Sequence, residues 1–254
     1  MTYLQFHLTF LIPVIVVLLF LVRSKERVPY PYPISSVFSL CTIAFVYTTP
    51  WDNYLVYREI WTYEPDRILE SLRIGFVPIE EYAFFVLQPI LTSLFLFFFA
   101  SRKPEIYQDA IHNPARLLTP RLLVGGVYLL LALAGLVLLL ANYTRFTYFA
   151  LIVVWACPVL SFQAFFGADR IWLYRHHFLP ALIGCTAYLW LVDGIAIDWN
   201  IWHIETETST GWTLLALPVE EAVFFLVTNL LVLNGLVLLF DVLGRRNLAK
   251  KATR

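Results

Sequence analysis

Charged residues are scarce in this chain. Only 14% of its 254 residues are Asp, Glu, Lys or Arg, whereas 60% are hydrophobic and the mean hydropathy is +0.72. Soluble domains carry about 25% charged residues, so this composition excludes that class and indicates an integral membrane protein. The formal net charge is zero, and we expect no nucleic-acid partner.

Disulfide and dinucleotide signatures are lacking as well. Cys41, Cys157 and Cys185 all fall inside apolar stretches, which favours small buried side chains over disulfides. The glycine pair Gly125-Gly126 lies in an apolar stretch without a G-x-G-x-x-G pattern. We therefore expect no cofactor.

Metal-ligand spacing is also missing. His176, His177 and His203 stand in predicted loops without cysteine or carboxylate partners at the spacing that a metal site needs. Their pattern favours surface residues, and we expect no metal.

Long apolar stretches are abundant instead. A membrane span needs roughly 20 mostly apolar residues to cross about 30 Å of hydrocarbon. Seven stretches are predicted to do so, near Tyr3–Val22, Ile34–Pro50, Phe76–Ala100, Arg121–Ala141, Phe146–Phe166, Phe178–Ala196 and Thr213–Asp241. The first has no basic region before it and no small-residue cleavage site, so we expect it to stay in the mature protein.

Lysine and arginine are distributed unequally over the loops that seven spans place on alternate sides. One side holds only Arg58, Arg67, Arg73 and Arg145. The other side holds Arg23, Lys25, Arg27, Arg102, Lys103, Arg116, Arg121, Arg170, Arg175, Arg245, Arg246, Lys250, Lys251 and Arg254. Because cytoplasmic loops are rich in basic residues, we predict a cell-membrane protein with its N-terminus outside and its C-terminus in the cytoplasm.

The two halves of the chain repeat one pattern, D-x8-W followed later by P-x-E-E-x2-F-F. The residues are Asp52, Trp61 and Pro78–Phe85 in the first half, and Asp193, Trp202 and Pro218–Phe225 in the second. Upstream, Thr2-Tyr3 recurs as Thr147-Tyr148. Such self-similarity indicates a duplicated unit of three spans.

Corresponding spans are four apart, an even number, so the two copies share one orientation in the membrane. Both acidic pairs then face the same side, which the basic residues identify as the outer one. We predict an all-α integral membrane protein with seven transmembrane helices, arranged as two parallel three-helix repeats joined by a linking helix. The expected boundaries are 1–100 for the first repeat, 101–145 for the loop and linking helix, 146–242 for the second repeat and 243–254 for a basic cytoplasmic tail.

The acidic motif allows a purely structural interpretation. Proline suits the first helical turn because it lacks the N–H that would be unpaired there, so Pro78 and Pro218 are expected to open helices. Carboxylates in that turn face free N–H groups and the positive end of the helix dipole. On this interpretation the motif only caps two transmembrane helices.

A chemical interpretation is favoured by three features. The apolar residues Leu214, Leu215, Ala216 and Leu217 precede the second motif, which predicts that its glutamates lie below the membrane surface. Adjacent carboxyls repel each other, so one of each pair is expected to keep its proton. Acidic residues inside a span indicate function by default. A buried protonated carboxyl is a proton donor.

Aromatic rings follow the acids at helical spacing, since residues four apart share one face of a helix. A ring face attracts a cation and offers no nucleophile, so a ring beside an acid suits carbocation chemistry. Phenylalanine is also common here, with 21 copies, and plain packing stays the alternative for each ring. The predicted pairs are Glu80 with Phe84, Glu81 with Phe85, Glu220 with Phe224 and Glu221 with Phe225.

Asp52 and Asp193 fall at the outer ends of the second and sixth predicted spans. Each is a candidate for a second carboxyl per repeat, which would hold charge or accept the final proton. An ordinary helix-end role is the alternative. Trp61 and Trp202 are candidates for the same site by their matched spacing, with anchoring at the membrane interface as the alternative.

The motifs PIEEYAFF and PVEEAVFF, together with the two Asp/Trp pairs, resemble the membrane-integral lycopene cyclases of the heterodimeric type. In that family two three-span subunits, or their fused form, carry the P-x-E-E motif, and the resemblance to the fused form covers essentially the whole chain. Fungal bifunctional enzymes share this domain, but we expect no phytoene synthase domain here. Ala222 stands where the first copy has Tyr82, which argues against strict equivalence of the two half-sites.

The resemblance implies lycopene cyclase activity in carotenoid biosynthesis, without net redox. A protonated glutamate would protonate the terminal double bond of an acyclic ψ end group, and the neighbouring double bond would attack the cation. Loss of a ring proton would give a β, ε or γ ring, and β-rings, hence β-carotene, are the expected product. Lycopene would come from the bilayer, with membrane lipids around the protein; association with other enzymes of the pathway is left open. The implied catalytic residues are Glu80, Glu81, Glu220, Glu221, Asp52 and Asp193, with Trp61, Tyr82, Phe84, Phe85, Trp202, Phe224 and Phe225 at the substrate.

Other functions are compatible with parts of this sequence pattern. A C50 carotenoid cyclase of the same family stays an alternative. A retinal-binding photoreceptor needs a buried lysine, but the four lysines fall in predicted loops or the tail, at Lys25, Lys103, Lys250 and Lys251. A proton-coupled transporter also uses acids and repeats, although these acids cluster near one side instead of tracing a path across the membrane.

Overall fold

Seven helices of the computed structural model, which describes residues 1–23, 28–69, 71–215 and 217–253, are long and apolar enough to cross a membrane. They are Tyr3–Arg23, Pro33–Tyr57, Ile79–Ala100, Leu118–Leu140, Thr144–Leu173, Arg175–Asp198 and Val219–Ala252. The predicted number of spans is thus confirmed. Four residues that support the sequence-based predictions lie outside the described residues. They are Lys25, Arg27 and Arg254, which indicate the orientation in the membrane, and Ala216, which belongs to the apolar stretch before the second motif.

Short helical segments complete the description. The first span contains a π-helical turn, His7–Leu11, between the α-helical segments Tyr3–Phe6 and Ile12–Arg23. The fifth opens with a 3-10 turn, Thr144–Phe146, ahead of the α-helix Thr147–Leu173, and a further 3-10 turn covers Pro65–Arg67. A separate helix, Pro104–His112, follows the third span.

The second span is longer than predicted. Its helix passes through Pro50 and ends at Tyr57, because a proline removes only one backbone donor and transmembrane helices tolerate that loss where neighbours pack against them. Asp52 therefore lies inside the helix and not at its end. Asp193 likewise lies inside the sixth span, which ends at Asp198.

The third and seventh spans begin later than predicted. Their helices start at Ile79 and Val219, each directly after the proline of the motif. The residues before each proline form β-hairpins instead: β2 (Arg73–Ile74) pairs with β3 (Val77–Pro78), and β5 (Thr213–Leu214) pairs with β6 (Leu217–Pro218). Each proline occupies the N-cap position with a non-helical backbone, so it directly precedes its helix and does not lie in the first turn as predicted.

One further strand pair joins the two halves of the chain. β1 (Trp61–Tyr63) and β4 (Trp202–Ile204) pair antiparallel, with Trp61 opposite Ile204 and Tyr63 opposite Trp202. Each strand follows the aspartate-bearing span of its own repeat. The pairing therefore brings corresponding segments of both repeats together at one end of the helix bundle.

Packing between the spans follows the duplication. The third and seventh spans are the most buried, and the third packs against the first as the seventh packs against the fifth. Two tyrosines repeat one contact: Tyr47 donates a hydrogen bond to the carbonyl of Trp155 at 2.8 Å, and Tyr188 donates one to the carbonyl of Phe10 at 2.6 Å. The fourth span packs mainly on the fifth, which agrees with a linking role.

At the opposite end of the bundle, buried charges are paired. Asp241 of the seventh span, 4% exposed, accepts hydrogen bonds from Arg170, Arg245 and Tyr174. Arg170 also donates to backbone carbonyls of the segment 110–115. This network fastens that segment to the fifth and seventh spans.

The seventh helix continues to Ala252, so the predicted basic tail is for the most part its last turns. Cys41, Cys157 and Cys185 are buried and free, as predicted.

His177 was predicted at the surface but is fully buried. The Tyr30 hydroxyl forms a hydrogen bond with Nδ1 of His177 at 2.8 Å, and Nε2 of His177 lies 2.8 Å from the carbonyl oxygen of Lys103. A carbonyl only accepts, so Nε2 carries the proton.

Candidate active site

The first glutamate of each motif binds the backbone of the preceding loop. Glu80 accepts a hydrogen bond from the N–H of Leu69 at 2.8 Å, and Glu220 accepts one from the N–H of Thr210 at 2.7 Å. Neither helix has a side-chain cap at its N-terminus. The structural interpretation of the motif expected these carboxyls to cap their own helices. Instead, each carboxyl fastens the preceding loop.

The second glutamate of each motif binds phenols. Glu81 accepts hydrogen bonds at Oε2 from Tyr3 at 2.7 Å and from Tyr63 at 2.9 Å. Glu221 accepts one at Oε1 from Tyr148, at 2.5 Å, while its Oε2 has no partner within the described chain. All four motif glutamates are at most 2% exposed. The two glutamates of each pair thus have different partners in both repeats.

Asp52 and Asp193 join the second glutamates in one cluster. Both aspartates are 1% exposed. Each lies close enough to Glu81 and Glu221 to interact electrostatically with both. No described residue makes a hydrogen bond of good geometry to either oxygen of Asp193, but the Trp202 side chain, whose Nε1 also lacks a partner, is a nearby potential donor. Four carboxyls, two from each half of the chain, therefore form one buried cluster.

No basic side chain neutralises this cluster. The ion pairs in the described part of the chain are Arg121–Asp169, Arg170–Asp241, Arg245–Asp241 and the exposed contact of His203 with Glu64. None of them involves a carboxyl of the cluster. Buried charges without a counter-ion are costly, so the cluster must hold protons.

Trp61 and Trp202 lie on the strand pair beside the cluster, 4% and 3% exposed. Each ring packs on the other repeat. Trp61 lies 6.4 Å from Tyr148, and Trp202 lies 4.9 Å from Tyr3, measured between ring centroids. Their own rings are 6.3 Å apart. Burial between the repeats makes them part of the central site and not of a membrane-interface belt.

The four predicted phenylalanines are all buried but have different neighbours. Phe84, not Phe85, lines the cavity together with Glu81, and Phe225 lines it from the second repeat. Phe85 packs on Phe45 and Tyr82, on the side of the second span. Phe224 stacks on Trp51 with centroids 5.8 Å apart.

The cavity beside the cluster lies between the repeats and is narrow. Its volume is about 10 Å³, the room of a single water molecule. It is lined almost equally by the two halves of the chain: Tyr3, Phe6, Trp61, Glu81 and Phe84 from the first, and Leu189, Val192, Asp193, Trp202 and Phe225 from the second. A larger group can enter only if aromatic side chains turn aside.

A second, larger cavity is an apolar groove of about 670 Å³ between the first three spans. Its lining includes Leu19, Phe38, Phe45, Ile90 and Phe97 and contains no acidic side chain. This groove can hold an apolar chain but has no group that could protonate one. Of these two cavities, only the one between the repeats is lined by acidic side chains.

Tyr82 lies away from that cavity. Its hydroxyl donates to the carbonyl of Ile74 at 2.8 Å and accepts from Asn53 at 2.9 Å, and Asn53 also accepts from the N–H of Phe76. Gly75, at φ +67°, leaves room for this contact, because a Cβ there would lie 2.2 Å from the Asn53 side-chain oxygen. Tyr82 thus fastens the hairpin β2–β3.

Three tyrosines and one histidine of the site escaped the sequence analysis. Tyr3 and Tyr148 gave a signal, since they recur at matched positions, whereas Tyr63 has Ile204 as its counterpart and gave none. His7 is 3% exposed, its ring centroid lies 4.6 Å from that of Tyr3, and its Nε2 has no partner among the described residues. Its place one turn after Tyr3 was the only available signal.

Curated relatives cover most of this chain. A lycopene beta-cyclase of Halobacterium salinarum is 36% identical over 206 residues, which are 81% of this chain and 82% of that protein. A bifunctional lycopene cyclase/phytoene synthase of Aspergillus niger is 38% identical over 207 residues, and one of Phycomyces blakesleeanus is 32% identical over 244. The matches take in 78% and 90% of this chain.

The chain spans about a third of the length of these fungal relatives, 34% and 37%. No family model matches the chain. No solved structure matches it. The similarity to the haloarchaeal cyclase covers more than four fifths of both proteins, and the chain belongs to the lycopene cyclase family.

Proposed function

We propose that this chain cyclises the acyclic ψ end groups of lycopene to β-ionone rings inside the membrane. One observation carries the proposal: two buried glutamates and two buried aspartates cluster without a counter-ion among the described residues, and two of them, Glu81 and Asp193, line a cavity walled by aromatic rings. Buried protonated carboxyls beside apolar, non-nucleophilic walls suit protonation of an alkene. The haloarchaeal relative named lycopene beta-cyclase supports the substrate and the ring type.

The reaction moves one proton in and one proton out. The O–H bond of Glu81 or Glu221 breaks as the π electrons of the terminal double bond form a C–H bond, which leaves a carboxylate and a tertiary cation. The π electrons of the neighbouring double bond then form the ring C–C bond. Finally a ring C–H bond breaks, its electrons become the ring double bond, and a carboxylate of the cluster takes the proton. No electrons are gained or lost overall.

The walls of the cavity protect the cation. Phe84, Phe225, Trp61 and Trp202 present rings whose faces attract positive charge and offer no lone pair that would trap it. The narrow volume leaves little room for water, which would otherwise add to the cation. Because the end group must displace these rings, we expect binding to open the site.

The remaining acids have supporting roles in this proposal. Glu80 and Glu220 hold the loops that carry Leu69 and Thr210 and thereby keep the cavity closed at its outer end. Asp52 and Asp193 share the protons of the cluster with the second glutamates. Lycopene enters from the bilayer, and the basic residues at the opposite end support a cytoplasmic position for that end.

Product analysis tests the proposal. The chain, expressed in a lycopene-accumulating bacterium, should convert lycopene to cyclic products that chromatography separates. Unchanged lycopene at normal expression and membrane insertion would overturn the proposal.

Four variants test the division of roles within the motif. Glu81→Gln and Glu221→Gln should each lower the cyclisation rate by about 100-fold or more, since an amide cannot donate the proton. Glu80→Gln and Glu220→Gln keep an oxygen that accepts the loop N–H, and they should retain most of the activity. Full activity in all four variants would return the motif to a structural role.

A further inference from the structure

The second glutamates of the two motifs are held unequally, and of these two only Glu81 lines the cavity. Glu81 accepts hydrogen bonds from two phenols, those of Tyr3 and Tyr63, whereas Glu221 accepts from one, that of Tyr148. Tyr3 and Tyr148 occupy matching positions in the two repeats. The difference is therefore due to Tyr63.

The strand pair shows which residue replaces this tyrosine in the second repeat. In the register of β1 and β4, Trp61 lies opposite Ile204 and Tyr63 lies opposite Trp202. Exchanging the repeats turns each of these pairs into the other, so Ile204 is the structural counterpart of Tyr63. Isoleucine has no hydroxyl, and Glu221 lacks a second donor for that reason.

Hydrogen bonds from donors favour the charged form of a carboxyl, and burial without donors favours the neutral form. Several titratable groups face the two glutamates, but none in the described part of the chain forms an ion pair with either. Four carboxyls this close cannot all be ionised. These neighbours are Asp52, Asp193, Tyr3, Tyr63, Tyr148, Glu80 and Glu220.

Tyr63 itself remains a hydrogen-bond donor. Burial, and then the nearby Glu81, raises the pKa of Tyr63 well above the usual range of a phenol. The phenol thus keeps its proton and can stabilise a negative charge on the Glu81 carboxylate.

We propose that Tyr63 is a positioning residue that makes the two half-sites chemically unequal, with Glu81 as the standing carboxylate and Glu221 as the proton donor. This inference rests on the proposed cyclase function. Once the entering end group has displaced the aromatic walls and reached Glu221, the Glu221 O–H bond breaks as the substrate C–H bond forms, and the Glu81 carboxylate faces the cation. Glu81 then accepts the ring proton, and its transfer back to Glu221 resets the site without any external reactant.

Infrared difference spectroscopy on the purified protein, in parallel with lycopene turnover, tests the assignment. Subtracting the spectrum of Glu221→Gln from that of the unchanged protein should reveal a protonated carboxyl band that shifts in D₂O. The same subtraction for Glu81→Gln should reveal carboxylate bands. The opposite assignment of the two bands in a protein that cyclises lycopene would overturn this inference alone. A protein that does not cyclise lycopene would overturn the proposed function.

Tyr63→Phe removes the phenol with little change in shape. The Glu81 carboxylate bands should weaken, a new carboxyl band should appear, and turnover should fall about 10-fold or more, because a hydrogen bond to a charged group is lost. Tyr143→Phe is the matched control, since Tyr143 is 59% exposed and should change neither readout. A slower Tyr63→Phe enzyme with unchanged infrared bands would reduce Tyr63 to a packing role and overturn the inference.

Ile204→Tyr tests the same inference in the second repeat, and it stays informative if Tyr63→Phe fails to fold. A phenol at this half-buried position should donate to Glu221 and convert its carboxyl band to carboxylate bands, again with about 10-fold lower turnover. If Ile204→Tyr folds and the carboxyl band of Glu221 is unchanged, the residue at this strand position does not set the protonation of the glutamate, and the inference is overturned.

Discussion

Buried carboxyls lie at both ends of the helix bundle, with opposite surroundings. At one end Asp241 accepts hydrogen bonds from two arginines and a tyrosine. At the other end Asp193, also buried, has no ion-pair partner among the described residues, and its one potential donor is the poorly aligned side chain of Trp202. The same side-chain chemistry thus stands in a neutralised environment at one end and in an uncompensated environment at the other.

This difference distinguishes carboxyls that stabilise the fold from carboxyls that are available for proton transfer. A buried ion pair that keeps its hydrogen bonds fixes a segment in place, whereas one that loses a partner leaves a costly charge. A carboxyl without a counter-ion keeps its proton, which makes it available for transfer. The ion-paired end is therefore expected to respond to mutation in stability, and the acid-lined end in turnover.

Arg170→Met should produce the largest effect at the ion-paired end. It removes the bonds to Asp241 and to the carbonyls of Ala110, Asn113 and Ala115, so the free energy of unfolding should fall by about 3–5 kcal/mol. Thermal or denaturant unfolding of the detergent-solubilised protein measures it. Arg246→Met, at an exposed position, is the control, and an equal, small loss in both variants would remove the contrast between the ends.

Asp193→Asn should have the converse effect at the acid-lined end. No hydrogen bond in the described structure is lost, so stability should stay within about 0.5 kcal/mol, while the proton-sharing cluster loses a member. Turnover should fall about 30-fold, equivalent to about 2 kcal/mol of activation free energy. Asp198→Asn changes an exposed aspartate of the same helix and should leave both quantities unchanged. A large loss of stability with normal turnover would show Asp193 to be architectural.

Tyr82→Phe should have the smallest effect and sharpens the limits of the acid-lined site. The hydroxyl bonds only the hairpin and Asn53, so its loss should cost about 1 kcal/mol of stability and change turnover by less than about twofold. Unfolding and product formation are measured on the same preparation, with Tyr57→Phe, 62% exposed, as the control. A 10-fold loss of turnover in a folded protein would return Tyr82 to the substrate site, where the sequence places it.

Much of the architecture could be predicted because it depends on local composition. Apolar stretches of span length are visible in one pass, and the matched prolines and glutamates place both motifs at corresponding positions. Span ends were less predictable: the expected stop at Pro50 was wrong, since neighbouring helices support a helix through a proline. The apolar residues before Pro78 and Pro218 form hairpins, a choice that periodicity in so short a segment does not reveal.

The division of labour within each acidic pair was not visible in the sequence. Glu80 and Glu81 are adjacent and chemically identical, and only the fold turns one to a loop N–H and the other to two phenols. Those phenols come from the first span and from a strand, 78 and 18 residues away along the chain.

The sequence by itself determined that this protein spans the membrane seven times, is duplicated, and carries paired acids at matching helix starts, because composition, spacing and repetition are properties of the linear chain. Only the tertiary structure decided that four carboxyls form one buried cluster, and that Tyr63 has no hydroxyl counterpart at Ile204. The physical reason is that the state of a buried carboxyl depends on the donors and charges around it, and folding brings those from distant segments.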